Sequence, residues 1–329
     1  MVNRIIIVVV FLLQTAWTTC FSQSASFQTL GEPFKCSPSV IHWNVPTNTI
    51  PSTVWVYRLL PKKFPLEAIS NLVASCGFTA KNEVVSNNDE VLYASAGKLP
   101  SKQLGISSSH GIIFYESVTH YGPTNLATDV PQMSQMLNLT TNFLSEFGID
   151  TSQIPKNSTG SPNFRFWEPF KEYFLKDKIV TNIEFRAVDF RRSVDGGNVL
   201  GAGTAGSGEI FFGEHGIPVQ IDISWPDLER YKSYPTVSPD TIVEWIGEGK
   251  AVHGGILLNL PDVDWSTIKS LTIEKAQICY YAGDRLSPSE WLVPLVSLWT
   301  TVDTGQMKIG LEVDCPVIEE REFKNRILR

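Results

Sequence analysis

Apolar and polar positions alternate along this chain in two different periods, and the switches between them outline the elements. Thr53 to Leu59, with Val54, Trp55, Val56 and Tyr57, is a β-branched and aromatic run that predicts a strand. Pro65 then stands where a first helical position would be. Leu66, Ile69, Leu72, Val73 and Cys76 follow at helical spacing until Gly77. Strands are expected at 90–96 and 111–116. Asp129 is placed to cap a second helix, about 130–147, with Pro131 in its first turn and Met133, Met136, Leu137, Thr140, Leu144 and Phe147 as its inner stripe. Asn157–Pro162 combines turn residues with no periodicity and reads as a linker.

Beyond the linker, Val180 to Ser193 reads as one long strand turning at Asp195-Gly196-Gly197-Asn198. A second strand pair surrounds Gly213–Gly216. Ser238-Pro239-Asp240 supplies a cap, an N1 proline and an acidic first turn for a third helix, which turns Ile242, Trp245 and Ile246 inward. Strands over 271–281, 292–302 and 307–313 close the chain. Strands in meander order with few helices predict an α+β protein of two halves, each an antiparallel sheet packed on a helix. The expected organisation is 1–22 as a leader, 23–160 and 161–318 as the halves, and 319–329 as a charged tail. The second half's core is expected to include Ile183, Phe185, Ile242, Trp245, Ile278, Tyr280, Leu292 and Leu298.

The first residues have a pattern of their own. Arg4 precedes an apolar run from Ile5 to Leu13, after which polarity rises to Cys20-Phe21-Ser22. A charged start, a short apolar stretch and small residues before Gln23 read as a cleavable secretory signal, with lipidation of Cys20 as an alternative. The run is about half the length a bilayer span needs, and no later run is longer. The expected location is therefore secreted, periplasmic or otherwise extracytoplasmic. Cleavage leaves Cys36, Cys76, Cys279 and Cys315, an even count that could form two disulfides in an oxidising compartment. Proximity favours Cys36–Cys76 and Cys279–Cys315. Strand alternation argues against the second pair, and buried free thiols are the other reading.

At 43% hydrophobic residues the chain can build a sizeable core. With 27 Lys and Arg against 34 Asp and Glu it is a poor partner for a nucleic-acid backbone or an anionic membrane. The chemical signatures are sparse. Gly201-Ala202-Gly203-Thr204-Ala205-Gly206 is a literal G-x-G-x-x-G, but strand-like residues follow it where a dinucleotide site needs a helix. His42, His110, His120, His215 and His253 form no zinc spacing, and no C-x-x-C occurs. Ser107-Ser108-Ser109-His110 places serines beside a histidine in sequence alone. The acidic pairs Asp262/Asp264 and Glu319/Glu320 read as solvated surface. No cofactor or metal is expected.

The segment Phe190-Arg191-Arg192-Ser193-Val194-Asp195-Gly196-Gly197-Asn198-Val199, then Gly213-x-x-Gly216, Trp225, the capped helix, Ile278-Cys279-Tyr280-Tyr281 and Leu292-x-Pro294 carry a resemblance. Together they resemble PepSY-like exported domains, among them the YycH/YycI-type regulators that restrain a sensor kinase from outside the membrane. The resemblance spans about 180–318 and consists of dispersed turn and aromatic positions. It implies an α+β fold and a regulatory or binding role. Those regulators keep an N-terminal membrane helix, which this chain's short leader does not match.

Aromatic residues supply the candidate site. Between Asn163 and Phe174 lie Phe164, Phe166, Trp167, Phe170, Tyr173 and Phe174, six aromatics in twelve positions. With the glycine-rich arm 195–216 they are expected to form an open edge for a protein or peptide partner, unless they fill the seam between the halves. Trp167 and Phe166 would anchor the partner, Arg165 and Arg191 would pair its acidic groups, and His215 sits in the adjoining turn. Asn138 and Asn157 each begin an N-x-[ST] glycosylation pattern. The functional expectation is a non-enzymatic binding or regulatory protein. A secreted hydrolase with a site assembled from distant residues is the alternative.

Overall fold

A computed structural model describes residues 33–86, 89–95, 101–117, 126–175, 178–200, 205–254, 264–283 and 288–319. The leader with Cys20, His120, most of the G-x-G-x-x-G motif, Asp262 and Glu320 lie outside them. The first stretch runs β1 (Pro33–Phe34), β2 (Ile41–Trp43), β3 (Thr53–Leu60), α1 (Leu66–Ser75), β4 (Glu83–Ser86), β5 (Glu90–Ala94), β6 (Lys102–Ser107) and β7 (Ile112–Ser117). After α2 (Met133–Glu146) come β8 (Arg165–Trp167), β9 (Phe170–Leu175), β10 (Lys178–Ile183), β11 (Arg186–Arg191), β12 (Ser193–Val194), β13 (Gly197–Leu200), β14 (Ser207–Phe212), β15 (Pro218–Ser224) and β16 (Asp227–Pro235). The last are α3 (Pro239–Glu248), β17 (Ala251–Gly254), β18 (Ser270–Gly283), β19 (Pro288–Asp303) and β20 (Lys308–Pro316).

These strands form two large sheets and one hairpin, and the sheets are not the two halves of the chain. The eight-stranded sheet runs β4-β5-β6-β7-β15-β14-β11-β8, so β7 and β15 join strands from both sides of the linker. The ten-stranded sheet runs β1-β17-β20-β19-β18-β13-β12, with β3 against β19, β16 against β3 and β2 against β18. This overturns the expected α+β protein of two halves: 49% of the structure is strand, and the three α-helices among the described residues lie against sheets that each draw on strands from both sides of the linker. Alternation specifies which face of a strand is apolar but not which strand it pairs with, because any partner with a matching buried face satisfies it. Pairing is antiparallel throughout the described sheets except at β2–β18 and β13–β18.

Each sheet has its own core. In the eight-stranded sheet, Leu104, Ile113, Val188, Ile210 and Ile221 meet Leu72 of α1 and Met136 and Leu144 of α2. In the ten-stranded sheet, Val56, Leu271, Val296, Leu298 and Val313 meet Ile242, Trp245 and Ile246 of α3. The expected residues Ile242, Trp245, Tyr280, Leu292 and Leu298 are buried, whereas Ile183, Phe185 and Ile278 are only half-buried. A smaller cluster of Tyr57, Val194, Val199, Tyr280 and Leu292 packs the β12–β13 hairpin onto the ten-stranded sheet.

Several local expectations meet a correction. The long strand 180–193 breaks at Glu184-Phe185: among the described residues β10 pairs only with β9, while β11 enters the eight-stranded sheet. Gln132, not Asp129, is the N-cap of α2, in a reciprocal capping box with Gln135. Of the expected stripe of α2, Met136, Thr140, Leu144 and Phe147 are buried, Phe143 joins them, and Met133 and Leu137 are exposed. The α3 cap is as expected, with Ser238 Oγ accepting from the Thr241 amide and Gly249 in the left-handed region. The turns at Asp195-Gly196 and His215-Gly216 also take positive φ.

The four cysteines among the described residues, Cys36, Cys76, Cys279 and Cys315, are free and buried, so neither expected disulfide is formed. Cys36 belongs to the core of the ten-stranded sheet and Cys76 to that of the eight-stranded sheet. Cys279 faces Leu295 across β18–β19, while Cys315 faces Val296 across β19–β20. The two therefore lie two strands apart, roughly 10 Å, on opposite faces, beyond the span of about 7 Å that a disulfide tolerates.

Candidate binding site

The aromatic segment lies at an edge. Among the described residues β8 pairs only with β11, through Trp167↔Ala187, Phe166↔Val188 and Arg165↔Asp189. Alternation divides its side chains between two faces. Phe164 and Phe166 turn into the core, Phe164 edge-on to Phe190 at 5.9 Å between centroids. Arg165 and Trp167 turn outward. Arg165 reaches Asp189 at 3.5 Å, and Trp167, 41% exposed, stands edge-on to Phe211 at 5.4 Å. Phe185 meets the same Phe211 ring at 5.0 Å.

The hairpin β9–β10 continues from this edge. It is held at its base by Glu184, buried, which accepts from Lys171 Nζ and Tyr173 Oη at 2.7 Å each. Phe170 and Ile179 on its other face are 62% and 60% exposed. Arg186 pairs with Glu168 and donates to the Pro131 carbonyl, tying the edge to the lead-in of α2.

The other expected site residues divide between the two ends of the sheet. His215 belongs to the turn joining β14 and β15. Phe212 faces Arg186, so that turn lies at the Trp167 end. Its Nδ1 meets Asp129 Oδ2 at 2.6 Å and its amide donates to the Asp129 carbonyl, while Glu214 accepts from Thr128. His253 lies in the ten-stranded sheet between Phe34 and Trp265. Arg191 sits at the far end of β11, opposite Ser207. Among its described residues the glycine arm does not make an open edge either. β14 is paired on both sides, and a Cβ on Gly208 would stand 2.1 Å from the Phe190 ring.

The outward face of this sheet holds residues the sequence reading did not single out. Asp189, Glu209 and Asp222 are directly opposite one another on β11, β14 and β15, with Arg165 at the β8 end of the row. Burial, then the charges of Asp222 and Asp189, push the Glu209 carboxyl up to about 7. Each acid is visible in sequence as the polar member of an alternating strand, but only the register shows that they line up.

Nucleophile geometry stays local. Ser109 Oγ and Ser107 Oγ approach His110 Nδ1 at 2.9 and 3.2 Å in an exposed turn. No group of three or more His, Cys, Asp or Glu side chains among the described residues could hold a metal ion. No helix among them is long and apolar enough to cross a membrane.

No family model matches this chain, and no curated protein matches it. Among solved structures, an uncharacterized protein from Eubacterium rectale is similar at 11% identity and a TM-score of 0.39, covering 83% of this chain and 85% of that one. The functional reading therefore rests on the chain's own residues.

Proposed function

We propose that the chain is an exported binding module that takes an extended segment of a protein partner along the β8 edge of the eight-stranded sheet. The observation that carries this reading is the combination of a strand edge without a second neighbour among the described residues and outward apolar side chains, Trp167, Phe170 and Ile179, beside it. An added strand bonds through its main chain and gains specificity from alternate side chains, and Trp167 on Phe211 offers the apolar anchor. The charged, short apolar leader supports export. Arg165 is engaged by Asp189 and Arg191 lies at the opposite end of the sheet, so the two arginines do not act as one acid-binding pair. A regulatory role of the PepSY-like kind would use the same edge.

Selection of displayed random peptides on the full chain, followed by amide hydrogen exchange with a selected peptide bound, tests this. Slowed exchange at 165–167 is expected. Slowing confined to another strand, with 165–167 unchanged, would overturn it.

A further inference from the structure

The outer strands of this protein are protected unequally. An open edge is a template for another strand, and native sheets blunt theirs with bulges and charge. β4 shifts register against β5 between Glu83 and Val85, and β16 does so against β3 between Arg230 and Lys232. Each of these strands is therefore bent by an extra residue. β8 shows no such shift in its pairing with β11. Its two outward side chains, moreover, are a cation and an aromatic ring. Arg165 has its side chain 73% exposed, and Trp167 is 41% exposed. Arg165 reaches Asp189 through one nitrogen at 3.5 Å. An ion pair at one nitrogen leaves the flat face of a guanidinium available to stack on a ring.

We infer that the partner taken up by this edge is a second copy of the chain, β8 pairing antiparallel with β8 about a two-fold axis through Phe166. The inference rests on the strand-addition reading above and names its partner. A two-fold axis perpendicular to the sheet keeps outward side chains outward, so it sets outward residues opposite outward residues. Centred on Arg165, it places like charges directly opposite each other, which destabilises a sheet. Centred on Trp167, it places Arg165 opposite Pro169, which has no amide hydrogen to give to the ladder. Centred on Phe166, it places each Arg165 directly opposite the Trp167 of the other copy. Their Cβ atoms are then about 5 Å apart, within reach of cation–π stacking. The contact is made twice, and each Arg165 keeps Asp189 while it stacks. On the inward face the two Phe166 rings are directly opposite, extending the core against which each already packs. One strand of three residues per copy makes a small interface, below about 1,200 Å² in all, so the dimer is weak and reversible.

Sedimentation velocity of the full chain between about 1 and about 500 µM reads the association. A monomer–dimer equilibrium with its midpoint below about 200 µM is expected. Trp167→Arg, which sets arginine opposite arginine, should weaken it at least tenfold. Labelled Trp167→Arg chains should associate again when mixed with unlabelled Arg165→Trp chains, because arginine then faces tryptophan at both contacts. The inference is overturned if the unaltered chain is monomeric at the highest concentration, if Trp167→Arg associates as the unaltered chain does, or if the labelled chains stay monomeric in the mixture. Should either variant fail to fold, amide exchange of the unaltered chain decides. Exchange at 165–167 must slow with rising concentration, and an unchanged rate there overturns the dimer. A chain that stays monomeric while a selected peptide slows exchange at 165–167 would remove the second copy and leave strand addition standing. Exchange at 165–167 that responds to neither concentration nor peptide would remove both.

Discussion

Asp314 is a residue at which the pH of the solvent should be felt. It is 2% exposed in β20, its Oδ1 meets no hydrogen-bond partner, and burial pushes its carboxyl up to about 7, with Ser297 opposing and Glu312 adding to the rise. Between the unfolded value near 4 and about 7, the native state holds a proton that the unfolded chain has lost. Stability therefore falls as pH rises through that window and levels off above it. Urea unfolding at pH 5 and pH 8 should show the loss, of order 2–4 kcal/mol from this group, and Asp314→Asn should remove this share while leaving that of Glu209, whose carboxyl burial also lifts to about 7. The groups facing Asp314 are Glu312, Ser297 and Cys279. An equal pH dependence in the variant would assign the effect elsewhere. The thiols give a second reading at this scale. Burial raises Cys36 and Cys76 to about 11, and moves Cys279 and Cys315 up as well. A thiol reagent should leave these four unlabelled in the native protein near neutral pH and label all of them in denaturant. Rapid labelling of the native chain at any of them would contradict the burial described.

At the level of elements, β8 separates two kinds of aromatic. Phe166 packs on the core and Trp167 does not, although they are adjacent in sequence. Phe166→Ala should cost roughly 2–3 kcal/mol through the cavity it leaves. Trp167→Ala should cost less than about 1 kcal/mol, most of it the edge-on contact with Phe211, while abolishing capture of the selected peptide. Equal losses of stability in the two variants, measured by urea melts, would mean that Trp167 belongs to the core and not to the anchor. The sequence made the density of aromatics in this segment plain but left open whether they were seam or surface. Alternation makes them both: Phe164 and Phe166 are core, Trp167 is edge. α3 was legible down to its cap, because cap, N1 proline and closing glycine act within a few residues. Ser238→Ala should cost about 1 kcal/mol. The N-terminus of α2 was misplaced because Asp129, a good cap in isolation, is taken up by His215 some 86 positions away.

For the whole molecule, the consequential feature is where the chain passes between sheets. β11 leads into β12, β13 leads to β14, and β15 leads into β16, each crossing from one sheet to the other. Arg192 stands at this crossing, 1% exposed, stacked 4.5 Å over the Trp225 ring and donating to the Pro226 carbonyl at 2.7 Å. Nearby, Asp195 accepts from Tyr57 and from Arg230, joining the β12–β13 hairpin to β3 and β16. Because β15 needs β7 and β16 needs β3, a fragment of residues 161–318 lacks partners for both sheets. Such a fragment should show no cooperative urea transition by circular dichroism, while the full chain does. A sharp transition in the fragment would show that pairing with the first half is dispensable.

Period-two and period-3.6 patterns, proline and glycine positions and local caps determined most of the elements of this chain, because those signals act over a few residues. They also established its acidic balance and the poor match of its histidines and cysteines to metal or redox spacing. Tertiary structure alone decided that β7 pairs with β15, that Cys279 and Cys315 are held two strands apart, and that Asp189, Glu209 and Asp222 form one row. Strand pairing is chosen by the complementarity of whole buried faces. A face is a property of several distant segments at once, whereas a strand pattern is a property of one.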